Sequence, residues 1–136
     1  MREIVLDTET TGLSPESGDR IVEIGCVELI NHVPTSNTYQ VYLNPEKDMD
    51  PGAEKVHGLT NEFLADKPKF IDVADDFIDF IGNSALVAHN AAFDIGFLNS
   101  ELARAKKEKI RVSRVVDTLK IAVSYTHLTL PTIYSV

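Results

Sequence analysis

Apolar and polar residues recur with two different periods along this chain, and the period changes at turns marked by Gly, Pro, Asn and Ser. Short apolar runs typical of strands occupy 3–7, 20–30, 37–43 and 85–88, and a last strand is predicted at 112–117. The segment 31–36 contains Pro34 and is predicted to be a connection. The first three strands are therefore expected to form a meander.

Helical periodicity replaces the strand pattern in two longer segments. Over 70–81 the apolar residues Ala74, Phe77, Ile78 and Ile81 share one face. Four acids lie largely on the other faces and are interpreted as solvated: Asp72, Asp75, Asp76 and Asp79. A second helix is predicted over 91–107, with Ile95, Leu98 and Leu102 on its apolar face.

The segment between the third strand and the first long helix is predicted to be rich in loops. Pro51-Gly52 opens it, and Thr60 is a candidate N-cap for a short helix that runs to Ala65. The order of strands and helices predicts an α/β fold with a mixed sheet. In open α/β sheets, sites lie at the carboxyl ends of strands, and four candidate side chains fall there. They are Asp7, Glu9, His89 and Asp117.

Composition narrows the class of protein. The 136 residues are 43% hydrophobic and 25% charged, which is typical of one globular domain. A net charge of -8 excludes a broad basic surface for coating duplex DNA or anionic membrane. One cysteine, no secretory leader pattern and no long apolar stretch predict a cytoplasmic protein.

The pair Asp7 and Glu9 is the first candidate for chemistry. The two acids are two residues apart, so on a strand both carboxylates point to the same face. Carboxylates at that spacing can share a pair of Mg²⁺ or Mn²⁺ ions, which activate water and stabilise the leaving oxygen of a phosphodiester. The pattern is short, and acids at strand ends are common, so on its own it is a weak signal.

A second cluster lies at 89–94. If a helix begins at Asn90, then Asn90 and Asp94 share a face near its amino end, and Asp94 is placed to be a further metal ligand. Each residue has an ordinary alternative. Asn90 can be a helix cap, Asp94 a favourable charge on the helix dipole, and Phe93 a core side chain.

The two clusters together resemble the first two motifs of the DEDD superfamily of 3'-5' exonucleases, in its DEDDh family. Residues 7–12 carry the first motif and 89–94 the second, with Val-His-Gly-Leu-Thr at 56–60 between them and Val-Asp-Thr-Leu at 116–119 beyond. The match covers residues 3 to 122. It is closest to the branch that proofreads for bacterial DNA polymerase III.

The resemblance implies a ribonuclease H-like, mixed five-stranded sheet flanked by helices, and two divalent metal ions, Mg²⁺ or Mn²⁺. Asp7, Glu9 and Asp94 would be the catalytic metal ligands. His57 would contact the 3'-terminal nucleotide, and Leu13 would sit against the terminal bases or else close the core. The remaining expected substrate contacts are Thr10, Thr11, Asn90 and Phe93, whereas Asp117 is interpreted as structural.

The same resemblance implies partners. They are the 3' end of single-stranded or frayed DNA, the catalytic alpha subunit of DNA polymerase III and the small theta subunit. A mispaired 3' nucleotide would be removed during replication. A relative acting on RNA ends, a non-catalytic polymerase-binding module and a phosphatase with Asp7 as nucleophile are the alternatives, the last weakened by Glu9.

The sequence departs from the family after Asp94. The third motif, His-x-Ala-x-x-Asp, supplies a general base and a further metal ligand, and it does not occur here. The only later histidine, His127, is followed by Thr129 and Thr132 at the wrong positions. We therefore expect a fold that is incomplete at the C-terminus, and no activity without that motif.

The last residues have a different character. Residues 123–136 contain no Asp, Glu, Lys or Arg. Their start, Val-Ser-Tyr-Thr-His-Leu, resembles a one-frame translation of the adaptor used in transposase-based sequencing libraries. We expect an exonuclease domain over 1–122 and a non-native tail over 123–136, the alternative being a genuine edge strand and tail.

Overall fold

The computed structural model describes residues 1–120, so the expected tail at 123–136 lies outside the described residues. Five strands form one mixed sheet in the order β3-β2-β1-β4-β5. Their bounds are β1 Arg2–Thr10, β2 Ile21–Ile30, β3 Val33–Tyr42, β4 Ala85–Ala88 and β5 Val115–Asp117. The first three strands are antiparallel, as the predicted meander requires, and β4 and β5 run parallel to β1.

The helices lie in the connections between these strands. Their bounds are α1 Pro51–His57, α2 Asn61–Leu64, α3 Phe70–Ile81 and α4 Ala91–Arg104, with short 3₁₀ helices at Pro15–Ser17 and Val112–Arg114. Helix α3 has the predicted bounds, and the predicted Thr60 cap of α2 is confirmed, because its side chain accepts a hydrogen bond from the Phe63 N–H. None of the helices in residues 1–120 has the length and apolar character needed to cross a membrane.

Two sequence predictions about connections are wrong. Pro34 lies inside β3, where it is tolerated because β3 is an edge strand. The real turn is Asn31-His32, both with positive φ, as in a tight two-residue hairpin. Pro51-Gly52 begins helix α1 rather than a loop, because Asp50 caps the helix and proline suits its first position.

Three further boundaries differ from the sequence prediction by three residues each. Strand β1 continues to Thr10, three residues beyond Asp7. Helix α4 ends at Arg104 rather than 107, where Lys106 takes a positive φ and the Lys107 N–H bonds the Leu102 carbonyl. The last strand begins at Val115, because 112–114 form a turn of 3₁₀ helix.

The main core lies between one face of the sheet and helices α3 and α4. Ile4, Leu6, Ile24 and Cys26 supply the sheet side. Helix α3 contributes Phe77, which is completely buried, and α4 contributes the predicted stripe of Ile95, Leu98 and Leu102. This packing holds α4 across the sheet beside β1, which carries the candidate acids.

Candidate functional site

Asp7 and Glu9 project from the same face of β1, opposite to the face that carries the main core. Asp7 is exposed, and its Oδ1 accepts a hydrogen bond from the Thr8 N–H at 3.0 Å. Its neighbour on β2 is Gly25, and no described heavy atom lies within 4 Å of where a Gly25 side chain would begin. The Asp7 carboxylate is therefore open to an incoming ligand.

Glu9 is half-buried among groups of its own charge. Burial raises the pKa of Glu9, Asp7 and Glu23 raise it further, and His57 opposes them. Glu23 is the direct cross-strand neighbour of Glu9 on β2. The local repulsion among these carboxylates would be relieved by a cation.

Asp94 occupies the first turn of α4 and is 3% exposed. Its Oδ1 accepts a hydrogen bond from the Thr8 hydroxyl. Burial raises the pKa of Asp94 to about 6, and Asp7 adds to the rise, whereas hydrogen bonds from Thr8 and from the backbone oppose it. The structure thus brings Asp7 and Asp94 within electrostatic reach of each other around β1.

The donor set fits a hard divalent cation, because every candidate ligand on β1 and α4 is a carboxylate oxygen. The cage is not closed in this conformation. Within residues 1–120, no group of three or more His, Cys, Asp or Glu side chains is close enough to hold an ion. Asp94 bonds Thr8 instead.

His57 ends helix α1 and is fixed through both ring nitrogens. The Leu59 N–H donates to Nδ1 at 3.1 Å, so Nδ1 is an acceptor, and Nε2 lies 3.0 Å from the Thr10 carbonyl oxygen. These bonds require the tautomer with the proton on Nε2. The half-buried His57 ring is therefore held in place beside β1, and its contact with the 3'-terminal nucleotide stays a prediction.

Thr10 and Thr11 use their hydroxyls inside the protein. The Thr10 hydroxyl donates to the Gly12 carbonyl at 2.6 Å, and the Thr11 hydroxyl donates to Asp19 at 2.8 Å. Thr11 is completely buried, and its N–H also donates to the Arg20 carbonyl. In this conformation Thr11 shapes the loop, and its contact with the substrate stays a prediction.

Leu13 follows these threonines and is 84% exposed. The alternative that Leu13 closes the core is therefore wrong. Val56, the first residue of the 56–60 motif, precedes His57 and is 83% exposed. Both apolar side chains are exposed to solvent and available to contact a ligand.

The second cluster divides between exposed and structural residues. Helix α4 begins at Ala91. Asn90 occupies the N-cap position in a left-handed conformation, but its side chain makes no capping hydrogen bond. Phe93 is half-buried against Phe97. Asp117 accepts hydrogen bonds from the N–H groups of Asn90 and Leu119, which confirms its structural role.

Three charged residues that sequence reasoning missed support the site. Glu101 is 2% exposed and accepts hydrogen bonds from the Arg20 guanidinium and the Ile21 N–H. Asp19 fastens the loop that follows Thr11. The partners of Glu101 are 80 or more residues away in sequence, so neither Glu101 nor Arg20 could be recognised from local spacing. No local sequence pattern marks Asp19.

Comparison with known proteins supports the resemblance to exonucleases. The family profile "RNase_T: Exonuclease" matches residues 4–131. DNA polymerase III subunit epsilon of Rickettsia felis is 52% identical over 125 residues, which is 90% of this chain and 55% of that protein. The chain therefore spans about half the length of the curated relatives it matches.

Solved structures show the same fold. Exonuclease X in complex with 5' overhanging duplex DNA has a TM-score of 0.71 and 26% identity, covering 97% of this chain and 69% of its own. The zinc-bound exonuclease I–ssDNA complex of E. coli has a TM-score of 0.81 at 16% identity, covering 90% of this chain and 29% of its own. The ribonuclease H-like exonuclease fold expected from the sequence is confirmed.

Proposed function

The chain belongs to the RNase_T exonuclease family, and from that membership we propose that it is the core of a metal-dependent 3'-5' exonuclease that proofreads DNA during replication. The observation that carries the proposal is the exposed Asp7 carboxylate beside Glu9, with Asp94 within electrostatic reach. Three acids crowded against their own repulsion are arranged for divalent cations rather than for stability.

Two divalent ions, Mg²⁺ or Mn²⁺, would supply an activated water and stabilise the leaving oxygen. Asp7 would serve both ions and Glu9 one of them, while Asp94 would serve the second directly or through water. The Thr8 hydroxyl donates a hydrogen bond to Asp94 and so holds its carboxylate toward β1. The chain's contribution is thus a set of oxygen donors already gathered at one strand.

The 3' end of the substrate would lie over the open face beside Asp7. His57 would present its ring face to the terminal nucleotide, since both its nitrogens bond the protein. Leu13 would contact the terminal bases, with Phe93 and Asn90 at the other border and Thr10 and Thr11 shaping the loop. An acidic chain can act this way because it grips a few nucleotides through metal-bound phosphate, without a basic stripe.

The partners follow from the named relatives. Because the similar proteins are epsilon subunits of DNA polymerase III, we propose the catalytic alpha subunit and the small theta subunit as partners, and the cytoplasm as the location. Single-stranded or frayed DNA is the proposed substrate, since exonuclease I was solved with single-stranded DNA. An RNA-directed exonuclease would use the same three acids.

One observation favours a second function for the 136 residues as they stand. The sequence has no His-x-Ala-x-x-Asp, so it lacks a general base and a fourth acid. The alternative is that the 136-residue chain acts as a non-catalytic polymerase-binding module. A single experiment separates the two functions.

The test joins residues 1–120 to the corresponding C-terminal part of the Rickettsia felis relative, which completes the family's length. We expect the joined protein to release nucleoside monophosphates from a mispaired DNA 3' end in Mg²⁺ or Mn²⁺, faster than from RNA. The 136-residue chain should release none. Cleavage of RNA in preference to DNA would favour the RNA alternative.

Asp7→Ala in the joined protein should abolish cleavage, because it removes a proposed metal ligand. Its melting temperature without divalent ions should not fall, because Asp7 is exposed and its loss relieves repulsion with Glu9 and Asp94. Asp48→Ala, which removes another exposed acid, is the matched control and should cleave normally. Full activity of Asp7→Ala would exclude the two-metal assignment.

A further inference from the structure

The loop that follows β1 holds one apolar side chain in water on a backbone that is fastened at several points. Leu13 is 84% exposed. Before it, the Thr11 carbonyl accepts a hydrogen bond from the Asp50 N–H at 3.0 Å, and the Thr11 N–H donates to Arg20. An exposed leucine on a mobile loop would be unremarkable, whereas a fixed one has a defined direction.

Asp19 fastens both sides of Leu13. Its Oδ1 accepts hydrogen bonds from the Thr11 hydroxyl at 2.8 Å and from Lys47 Nζ at 3.0 Å. Its Oδ2 accepts from the Ser14 N–H at 3.2 Å. One carboxylate therefore bonds the residue two positions before Leu13 and the residue directly after it.

Gly12 lies directly against this carboxylate. A Cβ atom at position 12 would overlap the carboxylate atoms of Asp19, so the loop backbone and Asp19 are in close contact. Burial alone would raise the pKa of Asp19, but the Lys47, Thr11 and Ser14 hydrogen bonds outweigh it and lower that pKa. Asp19 is thus ionised at neutral pH and bonds the loop as a strong acceptor.

We propose that Asp19 is a positioning residue that sets the direction of Leu13, so that the leucine packs against the bases at the 3' end of single-stranded DNA. This inference rests on the proposed function. Asp19 does not touch the substrate in this proposal, and it acts only through the loop. Its loss should therefore weaken the contact with bases and leave the contact with phosphates unchanged.

The change in net charge in Asp19→Ala predicts the opposite effect on DNA affinity from the proposal. Removing an acid from a protein of net charge -8 should by itself favour DNA binding. A loss of affinity in Asp19→Ala would run against that electrostatic change and would have to come from geometry. Glu16→Ala is the matched control, because Glu16 is an exposed acid in the same loop and contacts only the Ser14 hydroxyl among the described residues.

The experiment measures binding of two probes to the 136-residue chain by fluorescence anisotropy in Mg²⁺. One probe is an eight-nucleotide oligothymidylate with a phosphorothioate at its 3'-terminal linkage. The other is identical except that its last two positions are abasic. Asp19→Ala should weaken binding of the first probe about tenfold, at the low end of the range for loss of a stacked base. Binding of the second probe should not weaken, because the lost negative charge can only favour it.

Two further variants separate positioning from loss of stability. Leu13→Ala should weaken the first probe as much as Asp19→Ala does, and the double variant should be no weaker than either single one. Asp19→Asn keeps an acceptor for the Thr11 hydroxyl and should bind between the wild type and Asp19→Ala. It also decides the question if Asp19→Ala does not fold.

The outcomes are distinguishable. A wild-type chain that binds neither probe would overturn the proposed function and this inference with it. A folded Asp19→Ala that binds the first probe like the wild type would overturn the inference alone. Equal weakening of both probes, or effects of Asp19→Ala and Leu13→Ala that multiply, would likewise exclude a role through Leu13.

Discussion

Thr8 lies between the two acids of β1, and its side chain points to the opposite face of the strand. The Asp94 carboxylate accepts a hydrogen bond from the Thr8 hydroxyl. Asp94 therefore reaches β1 from the core side of the strand, whereas Asp7 faces solvent. Strand β4 pairs with β1 only from Glu3 to Val5, which leaves the edge of β1 beyond Val5 free of β4. The start of α4 carries Asp94 to that part of β1, and the two acids can meet around the edge.

The raised pKa of Asp94 predicts a stability that depends on pH. The folded-state pKa is about 6 and exceeds the unfolded value, so the protonated form is favoured by folding. Its contribution is complete below pH about 4 and is lost as the pH rises through 6, up to about 3 kcal/mol in the free energy of unfolding. Asp94→Asn cannot ionise, and it should unfold at a higher temperature than the wild type above pH 6.

The measurement is the melting temperature of both proteins from pH 4.5 to 8 without divalent ions. The difference between them should grow from pH 4.5 to about pH 6 and level off above about pH 7. Glu108→Gln, at an exposed site, is the control and should follow the wild type at every pH. A constant difference between Asp94→Asn and wild type would show that Asp94 ionises normally.

At the scale of single residues, the acids could be predicted but their supports could not. Asp7 and Glu9 are two residues apart, and their common face follows from the period of a strand. Glu101 bonds Arg20, which is 81 residues away in sequence, and Thr8 bonds Asp94, which is 86 residues away. Such pairs depend on where α4 crosses the sheet, which one-dimensional spacing does not contain.

At the scale of elements, long periodic segments were predictable and short capped ones were not. Helix α3 was predictable because its apolar stripe covers three turns. Helix α1 has no buried residue, so it leaves no stripe, and its Pro51-Gly52 start resembles a turn. In β3, Pro34 was misleading because its tolerance depends on the strand being at an edge, which is a property of the sheet.

The apolar face of α3 gives a test of the core. Phe77 is fully buried between Tyr39 and Phe70, with ring centroids at 6.1 and 6.3 Å. Phe77→Ala should lower the free energy of unfolding by about 3 to 5 kcal/mol, because it leaves a cavity that the sheet cannot fill. Denaturant titration measures this directly.

Ile71→Ala on the same helix is the matched control, since Ile71 is 64% exposed. Its free energy of unfolding should change by less than about 0.5 kcal/mol. Similar costs for the two variants would mean that the face of α3 turned to the sheet has been misassigned.

At the scale of the whole molecule, the negative charge and the acid site act in the same direction. Net charge is -8, and Asp7, Glu9 and Glu23 add a local concentration of carboxylates on the open face of β1. Asp94 lies within electrostatic reach of Asp7 and adds to this concentration of carboxylates. Repulsion among these carboxylates destabilises the folded chain, and a bound divalent ion would turn it into attraction. We therefore expect metal binding to raise the stability of the fold.

Mn²⁺ should raise the melting temperature of the 136-residue chain, because an ion that binds only the folded state stabilises it by mass action. At a concentration one hundred times the dissociation constant the gain is about 2.7 kcal/mol. The rise should be larger at pH 8 than at pH 5, since a protonated Asp94 is a poor ligand. It should also exceed the effect of NaCl at equal ionic strength, which only screens the charges.

Asp7→Asn should remove most of this Mn²⁺ effect, and Asp48→Asn, which removes an equal charge elsewhere, should keep it. The comparison separates a site from general screening, because both variants lower the net negative charge by the same amount. A Mn²⁺ response equal in Asp7→Asn and wild type would mean that the ion binds elsewhere. Since the readout is stability, the result holds whether or not the chain cleaves DNA.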